Sequence, residues 1–194
     1  MTQYGFYFDA TNCIGCHTCQ VACKDVNRLD VGQNFRRVTS YCSGSGWDVH
    51  MYHIAMGCNH CAKPACVANC PTGAMYKDEG TGLVLHDDEA CIGCESCVNS
   101  CPYGEPVLIE ELGIVRKCDG CAGLRLLGEE PSCVASCPQR VLEFGDIEEL
   151  RAAHPEANLV SDCYVVPDSS ETTPSLLMEI RDCMLDSDCD SLTL

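Results

Sequence analysis

Basic residues are scarce in this chain of 194: 12 Lys and Arg stand against 29 Asp and Glu, a formal charge of −17. Such a surface repels phosphates, which argues against nucleic acid or an anionic membrane surface as partner. Aromatic residues make up only 6% of the chain, with a single Trp, so little apolar material is expected beyond the short elements. No run of about 18 apolar residues occurs, and no direct membrane span is expected. Residues 1–10 carry no basic residue ahead of an apolar run, so no signal peptide is expected there. A phosphate-binding glycine motif, a Ser/His/Asp set and a nicotinamide or flavin fingerprint are also missing, which points away from a self-sufficient catalyst. Cysteine is the contrast, with 20 residues.

Sixteen of these fall into four tight runs. Cys13, Cys16, Cys19 and Cys23 are spaced C-x2-C-x2-C-x3-C, and Cys91, Cys94, Cys97 and Cys101 repeat that spacing before Pro102. Cys58, Cys61, Cys66 and Cys70 read C-x2-C-x4-C-x3-C before Pro71. Cys118, Cys121, Cys133 and Cys137 stretch the middle gap to eleven residues and end at Pro138. In a bacterial-type ferredoxin run, three close thiolates hold one iron–sulfur cubane and the fourth ligates a different one. Disulfides fit this spacing poorly, because closely spaced cysteines would need partners scattered along the chain. Zinc sites use paired C-x2-C knuckles and leave the third Cys of each run without a role. Every cluster has a full set of thiolates available, which favours electron transfer over substrate binding at iron.

Each run reads as a ligand loop followed by a short helix, for example residues 18–25. Strands are expected at residues 4–9 and 84–86, with a hairpin from 107–110 into 114–117. If fourth cysteines are exchanged, the runs form two pairs, either nested (first with fourth, second with third) or sequential. The short hairpin at residues 75–86 between runs two and three, against the longer segment 26–57 after run one, favours nesting.

The segments CIGCHTCQVACKD, CNHCAKPACVANCPTGAM, CIGCESCVNSCPYG and VRKCDGCAGLRLLGEEPSCVASCPQRVLEFGDIEELRAAH resemble the four-cluster iron–sulfur subunit of the dimethyl sulfoxide reductase family of molybdopterin oxidoreductases. The likeness spans roughly residues 3–154 and includes the stretched fourth run, which an ordinary two-cluster ferredoxin lacks. It implies an α+β fold of two pseudo-symmetric bacterial-ferredoxin-like modules, each holding two [4Fe–4S] clusters. By the resemblance, Cys13, Cys16, Cys19 and Cys137 hold the first cluster, and Cys118, Cys121, Cys133 and Cys23 the second. Cys58, Cys61, Cys66 and Cys101 hold the third, and Cys91, Cys94, Cys97 and Cys70 the fourth. Nitrate reductase relatives replace the second Cys of one run by Trp and carry a three-iron cluster there. Here that position is Cys in every run, including Cys61 and Cys94, so four [4Fe–4S] clusters are expected. The resemblance further implies a large molybdopterin catalytic subunit and a membrane anchor that oxidises quinol as partners. The chain would be assembled in the cytoplasm and sit peripherally on the cytoplasmic membrane, on the side set by the catalytic partner.

The expected segments are 1–57 (first run and insert), 58–105 (inner module, runs two and three), 106–155 (fourth run, completing the outer module with the first) and 156–194. The last is an acidic tail with apolar islands at residues 164–166 and 176–180, expected to wrap over a partner. Asp146 is expected to N-cap a helix to Ala153, with Glu149 in a capping box. Lys24, Lys117 and Arg140 lie within three residues of ligand groups and are candidates for raising cluster potentials. His60 is a candidate donor to a cluster sulfur. Phe35, Trp47 and Tyr52 are expected to pack the insert, with Arg36 and Arg37 pairing carboxylates or meeting a partner. Cys42, Cys163, Cys183 and Cys189 lie outside ligand spacing and read as free or buried thiols. With so little apolar material, the chain without its clusters is expected to be largely disordered. A freestanding polyferredoxin and a non-redox metal scaffold are the alternative readings.

Overall fold

The computed structural model describes residues 2–192; Met1, Thr193 and Leu194, the ends of the first and last expected segments, lie outside the described residues. The chain opens with β1 (Tyr4–Asp9) and α1 (Thr18–Asn27), then the hairpin β2 (Arg36–Ser43) and β3 (His50–Gly57). Next come α2 (Ala65–Ala68), the hairpin β4 (Met75–Lys77) and β5 (Val84–His86), and α3 (Ser96–Ser100). The hairpin β6 (Val107–Ile109) and β7 (Ile114–Arg116) leads to α4 (Ala122–Leu126) and α5 (Ser132–Ala135). Last are β8 (Leu142–Asp146), α6 (Ile147–Ala153), β9 (Leu159–Val160), β10 (Leu176–Glu179) and β11 (Cys189–Leu192). The fold is α+β, with short strands and small helices between cysteine loops.

β1 pairs antiparallel with β8, from Tyr4 opposite Asp146 to Phe8 opposite Leu142. Because β1 precedes the first cysteine run and β8 follows the fourth, this pairing draws those two runs together, and α1 packs on α5 between them. The β4–β5 hairpin folds back between runs two and three, and α2 packs on α3. The runs therefore meet in nested pairs. Helices of four or five residues, such as α2 and α3, are far below the length at which a helix holds itself in water. Contacts outside the helix must keep them formed.

Where the first and fourth runs meet, the sheet has the order β8–β1–β10–β9. β10 runs parallel to β1, Phe6 opposite Leu176 and Phe8 opposite Met178. The tail is thus built into the chain's own sheet: Leu176, Leu177 and Met178 are buried. These residues, expected to seek cover on a partner, find it against Phe6 and Phe8, a long-range pairing with no local signature in the sequence. A second sheet has the order β11–β2–β3, so the end of the tail also closes over the insert. Tyr52 packs there as expected; Phe35 is buried too, but ahead of β2 and beside Tyr76, Leu85 and Cys118 rather than in the core of the insert, and Trp47 does not pack at all. It lies in the turn between β2 and β3, beyond the edge of the sheet, and is fully exposed. Asp146 N-caps α6 as expected, its carboxylate accepting the N–H groups of Glu148 and Glu149 at 2.9 and 3.3 Å.

Candidate iron–sulfur sites

The first C-I-G-C loop turns at Gly15 (φ +64°) and that of the third run at Gly93 (φ +65°). A Cβ would stand 2.5 Å from the His53 ring at Gly15 and 2.3 Å from the Gly113 carbonyl oxygen at Gly93, so both positions need glycine for shape and for space. Directly after the second Cys of these runs, His17 and Glu95 take left-handed backbone, φ 59° and 58°. That conformation costs a non-glycine residue about 1–2 kcal/mol. It turns the chain from the loop into α1 and α3.

Three small concave cavities result. One is lined by Cys13, Cys16, Cys19 and Cys137. A second is lined by Cys58, Cys61, Cys66 and Cys101. A third is lined by Cys70, Cys91, Cys94 and Cys97. In each, three thiols from one run are joined to a thiol of its nested partner. The remaining four thiols lie within electrostatic reach of one another: Cys23 is influenced by Cys133 and Cys121, and Cys118 by Cys23 and Cys133.

The groups adjoin in a row. Cys19 of the first is within reach of Cys133 of the second, and Cys118 of the second is within reach of Cys58 of the third. Cys66 of the third shares a small buried core with Cys97 of the fourth. Among the described residues, the only exposed cysteines are Cys16 and Cys94, one in the first group and one in the last.

The donor chemistry suits a cationic inorganic core. Burial pushes the Cys19 and Cys61 thiols up to about 11 and Cys23 and Cys66 to about 12. Neighbouring cysteines add repulsion in each case. Such thiols become thiolates only when a positive centre replaces the proton. The exposed pair behaves oppositely. The Thr18 hydroxyl and N–H lower Cys16, and the Ser96 hydroxyl and N–H lower Cys94.

Backbone N–H groups already point at sulfur: Gly120 to Cys118 at 3.3 Å, Met75 to Cys70 at 3.4 Å and Val115 to Cys91 at 3.5 Å. Beside the cavities, Asn59 Nδ2 and His86 Nε2 are buried without a protein partner. Asn59 lines the cavity of Cys58 and His86 that of Cys70. Asn59 Nδ2 is a donor, and inorganic sulfide would satisfy it. The residues present therefore fit iron–sulfur clusters.

The basic residues divide. Lys117 is buried, its ammonium donating to the Val84 carbonyl and, at 2.8 Å, to that of Cys118, on the wall of the Cys58 cavity. Lys24 instead donates to the Gln33 carbonyl at 2.7 Å, and Arg140 to that of Ala135 at 2.9 Å, an exposed contact. Arg37 pairs with the buried Glu105 at 2.8 Å. Burial raises Glu105 to about 7, against the pull of Arg37.

The His60 ring accepts the Val84 N–H at Nδ1, 3.1 Å away, so its proton sits on Nε2, which has no protein partner. Cys163, Cys183 and Cys189 gather near the Tyr52 hydroxyl, outside all four groups. Sequence reasoning missed the burial of Arg36, which a run of two arginines does not signal.

Four nested groups of thiols in a ferredoxin-like α+β fold define an iron–sulfur protein. Residues 49–147 match the 4Fe-4S dicluster domain family, and residues 10–31 match a 4Fe-4S binding domain. YnfG of Escherichia coli K12, named as a probable anaerobic dimethyl sulfoxide reductase component, is 43% identical over 187 residues, covering 92% of this chain and 89% of the relative. The B subunit of anaerobic dimethyl sulfoxide reductase from the same organism is 42% identical over the same shares. The thiosulfate reductase electron transfer subunit PhsB of Salmonella typhi is 41% identical over 152 residues, 76% of this chain and 78% of the relative. The chain belongs to the family of iron–sulfur electron-transfer subunits that includes the dimethyl sulfoxide reductase B subunit. It transfers electrons and is not itself the catalytic subunit of its complex.

Proposed function

We propose that this chain carries four [4Fe–4S] clusters in series, linking a large molybdopterin catalytic subunit to a quinol-linked membrane anchor in anaerobic respiration. The observation that carries the reading is the row of four thiol groups in which only the first and last hold an exposed cysteine, Cys16 and Cys94. The first cluster is held by Cys13, Cys16, Cys19 and Cys137, and the second by Cys118, Cys121, Cys133 and Cys23. The third is held by Cys58, Cys61, Cys66 and Cys101, and the fourth by Cys91, Cys94, Cys97 and Cys70. When bound, each cluster supplies a site that takes up and returns one electron.

The chain's residues do the rest. Buried thiols and the helices behind them exclude water from the middle of the row. N–H groups such as those of Gly120, Met75 and Val115 stabilise charge on sulfur. The exposed ends give partners access. The first end faces the catalytic subunit and the fourth the anchor, as in the dimethyl sulfoxide reductase family that the sequence resembles.

No helix among the described residues is long and apolar enough to cross a membrane, so contact with the bilayer falls to the anchor. Cluster assembly needs reduced thiols, which supports maturation in the cytoplasm; the finished complex sits peripherally on the cytoplasmic membrane, on the side set by the catalytic partner. Native purification with analysis of co-eluting subunits, iron and molybdenum tests the reading. About sixteen irons per chain with a large molybdenum-bearing partner is the expected result. A lone iron-bearing chain without molybdenum would replace it with a freestanding polyferredoxin.

A further inference from the structure

Arg36 begins β2 and is 4% exposed, yet among the described residues no carboxylate lies within ion-pairing distance of it. A charge buried in that way is strongly unfavourable unless an opposite charge is close by. The protein gives its guanidinium a 2.8 Å hydrogen bond to the Ala55 carbonyl and a seat 4.8 Å above the Phe6 ring centroid. A guanidinium has five N–H donors, and most of these remain for something other than protein oxygen. Space for the group is kept by Gly57, where a Cβ would lie 3.3 Å from the Arg36 terminal nitrogen and 3.2 Å from the Phe35 carbonyl oxygen.

The opposite charges that act most strongly on Arg36 are, in order, Cys133, Cys19, Cys118 and Cys23; the buried Glu105 also feels Arg36, but its ion pair is with Arg37. Cys19 belongs to the first thiol group and the other three to the second. In return, Arg36 is the leading influence favouring the thiolate of both Cys19 and Cys23. The geometry agrees: α1, which carries Cys19 and Cys23, packs on β2, so the guanidinium at the start of β2 lies beside the place where the two neighbouring groups adjoin. Lys117, on the wall of the third group's cavity, spends its donors on the Val84 and Cys118 carbonyls.

We propose that Arg36 is the shared counter-charge of the first and second clusters, donating its free N–H groups toward their sulfurs and raising both reduction potentials. The inference rests on the ligand sets proposed above. One-electron reduction adds a negative charge to a cluster, and a fixed cation between two clusters favours the reduced form of both. Arg36 is a positioning and tuning residue and forms no bond to iron. Its effect keeps the catalytic end of the row easier to reduce, so electrons entering at the fourth cluster are drawn toward the first.

The test is an EPR-monitored redox titration of the intact complex carrying Arg36→Gln or Arg36→Lys. In Arg36→Gln, two of the four midpoints should fall, each by at least a tenfold change in the reduced-to-oxidised ratio at fixed ambient potential, which is about 59 mV for one electron. The other two should stay. Arg36→Lys keeps the charge but not the planar fork and should move the same two midpoints by less. Adding Cys94→Ser alters the fourth cluster's signal and so marks it, and it must be among those unmoved.

Four clusters with unchanged midpoints in Arg36→Gln would overturn the proposal, as would a common shift of all four. If Arg36→Gln does not assemble, Arg36→Lys decides, and wild-type midpoints there would overturn the proposal. A wild-type complex without four titrating clusters would instead overturn the ligand reading, before any Arg36 variant is made.

Discussion

Around the first and fourth runs, Phe6, Phe8, Tyr52, Ile54, Leu142, Leu176, Met178 and Met184 form a continuous buried core beneath two sheets. Around the second and third runs the buried core shrinks to Met75, Val84 and Val115 with the ligand-spaced Cys66 and Cys97. Apolar material, expected to be thin throughout, is therefore not thin in the outer half, and the expected disorder of the cluster-free chain should fall mainly on the inner half. There the tail contributes β10 and β11 from far along the chain. The inner half has two hairpins of three-residue strands, two short helices and little else to hold it. One half can keep its shape through packing, whereas the other depends on what its cysteines bind.

Iron removal gives the largest expected effect. Chelation under reducing conditions should abolish amide protection in β4, β5, α2 and α3 while β1, β8 and β10 stay protected, as read by hydrogen exchange. Equal loss in both halves would break the comparison. Substitutions in the two cores sharpen it. Met178→Ala, at a fully buried position, should destabilise the chain by about 2–5 kcal/mol, and the loss should persist without iron. Val115→Ala should matter only while clusters are bound, as read in thermal melts of the two forms.

Replacing Cys94 by Ser should alter the fourth cluster's EPR signal and slow exchange with an outside donor, leaving the outer half unperturbed in hydrogen exchange. Asp146→Ala removes the α6 cap and should cost about 1 kcal/mol, confined to the outer half. The smallest effect is expected for Tyr52→Phe. The hydroxyl is buried with only the thiol of Cys189, a weak hydrogen-bonding group, to meet it, so its loss should leave stability nearly unchanged in thermal melts.

Local features were legible in the sequence. The strand at Tyr4–Asp9, the hairpins before runs three and four, and the Asp146 cap follow from periodicity and turn residues that act over a few positions. Segment lengths favoured nesting of the runs, and the pairing of β1 with β8 brings the first and fourth runs together. Long-range placement was not legible. Nothing near Leu176 announces that it will lie beside Phe6. Trp47 looks like core material by residue type, yet the hairpin carries it past the sheet. Arg36 and Arg37 are adjacent and chemically alike, but strand alternation sends one inward to the thiols and the other outward to Glu105. Which one is buried depends on where the sheet sits.

The central claim is that sixteen cysteines in four nested groups hold four cubanes. Its most direct test is iron and acid-labile sulfide per chain in the anaerobically purified native complex, corrected for the partner's own content and joined to the spin count on full reduction. The account predicts about sixteen of each per chain and four one-electron centres. Zinc in place of iron, or about eight irons and two centres, would contradict it.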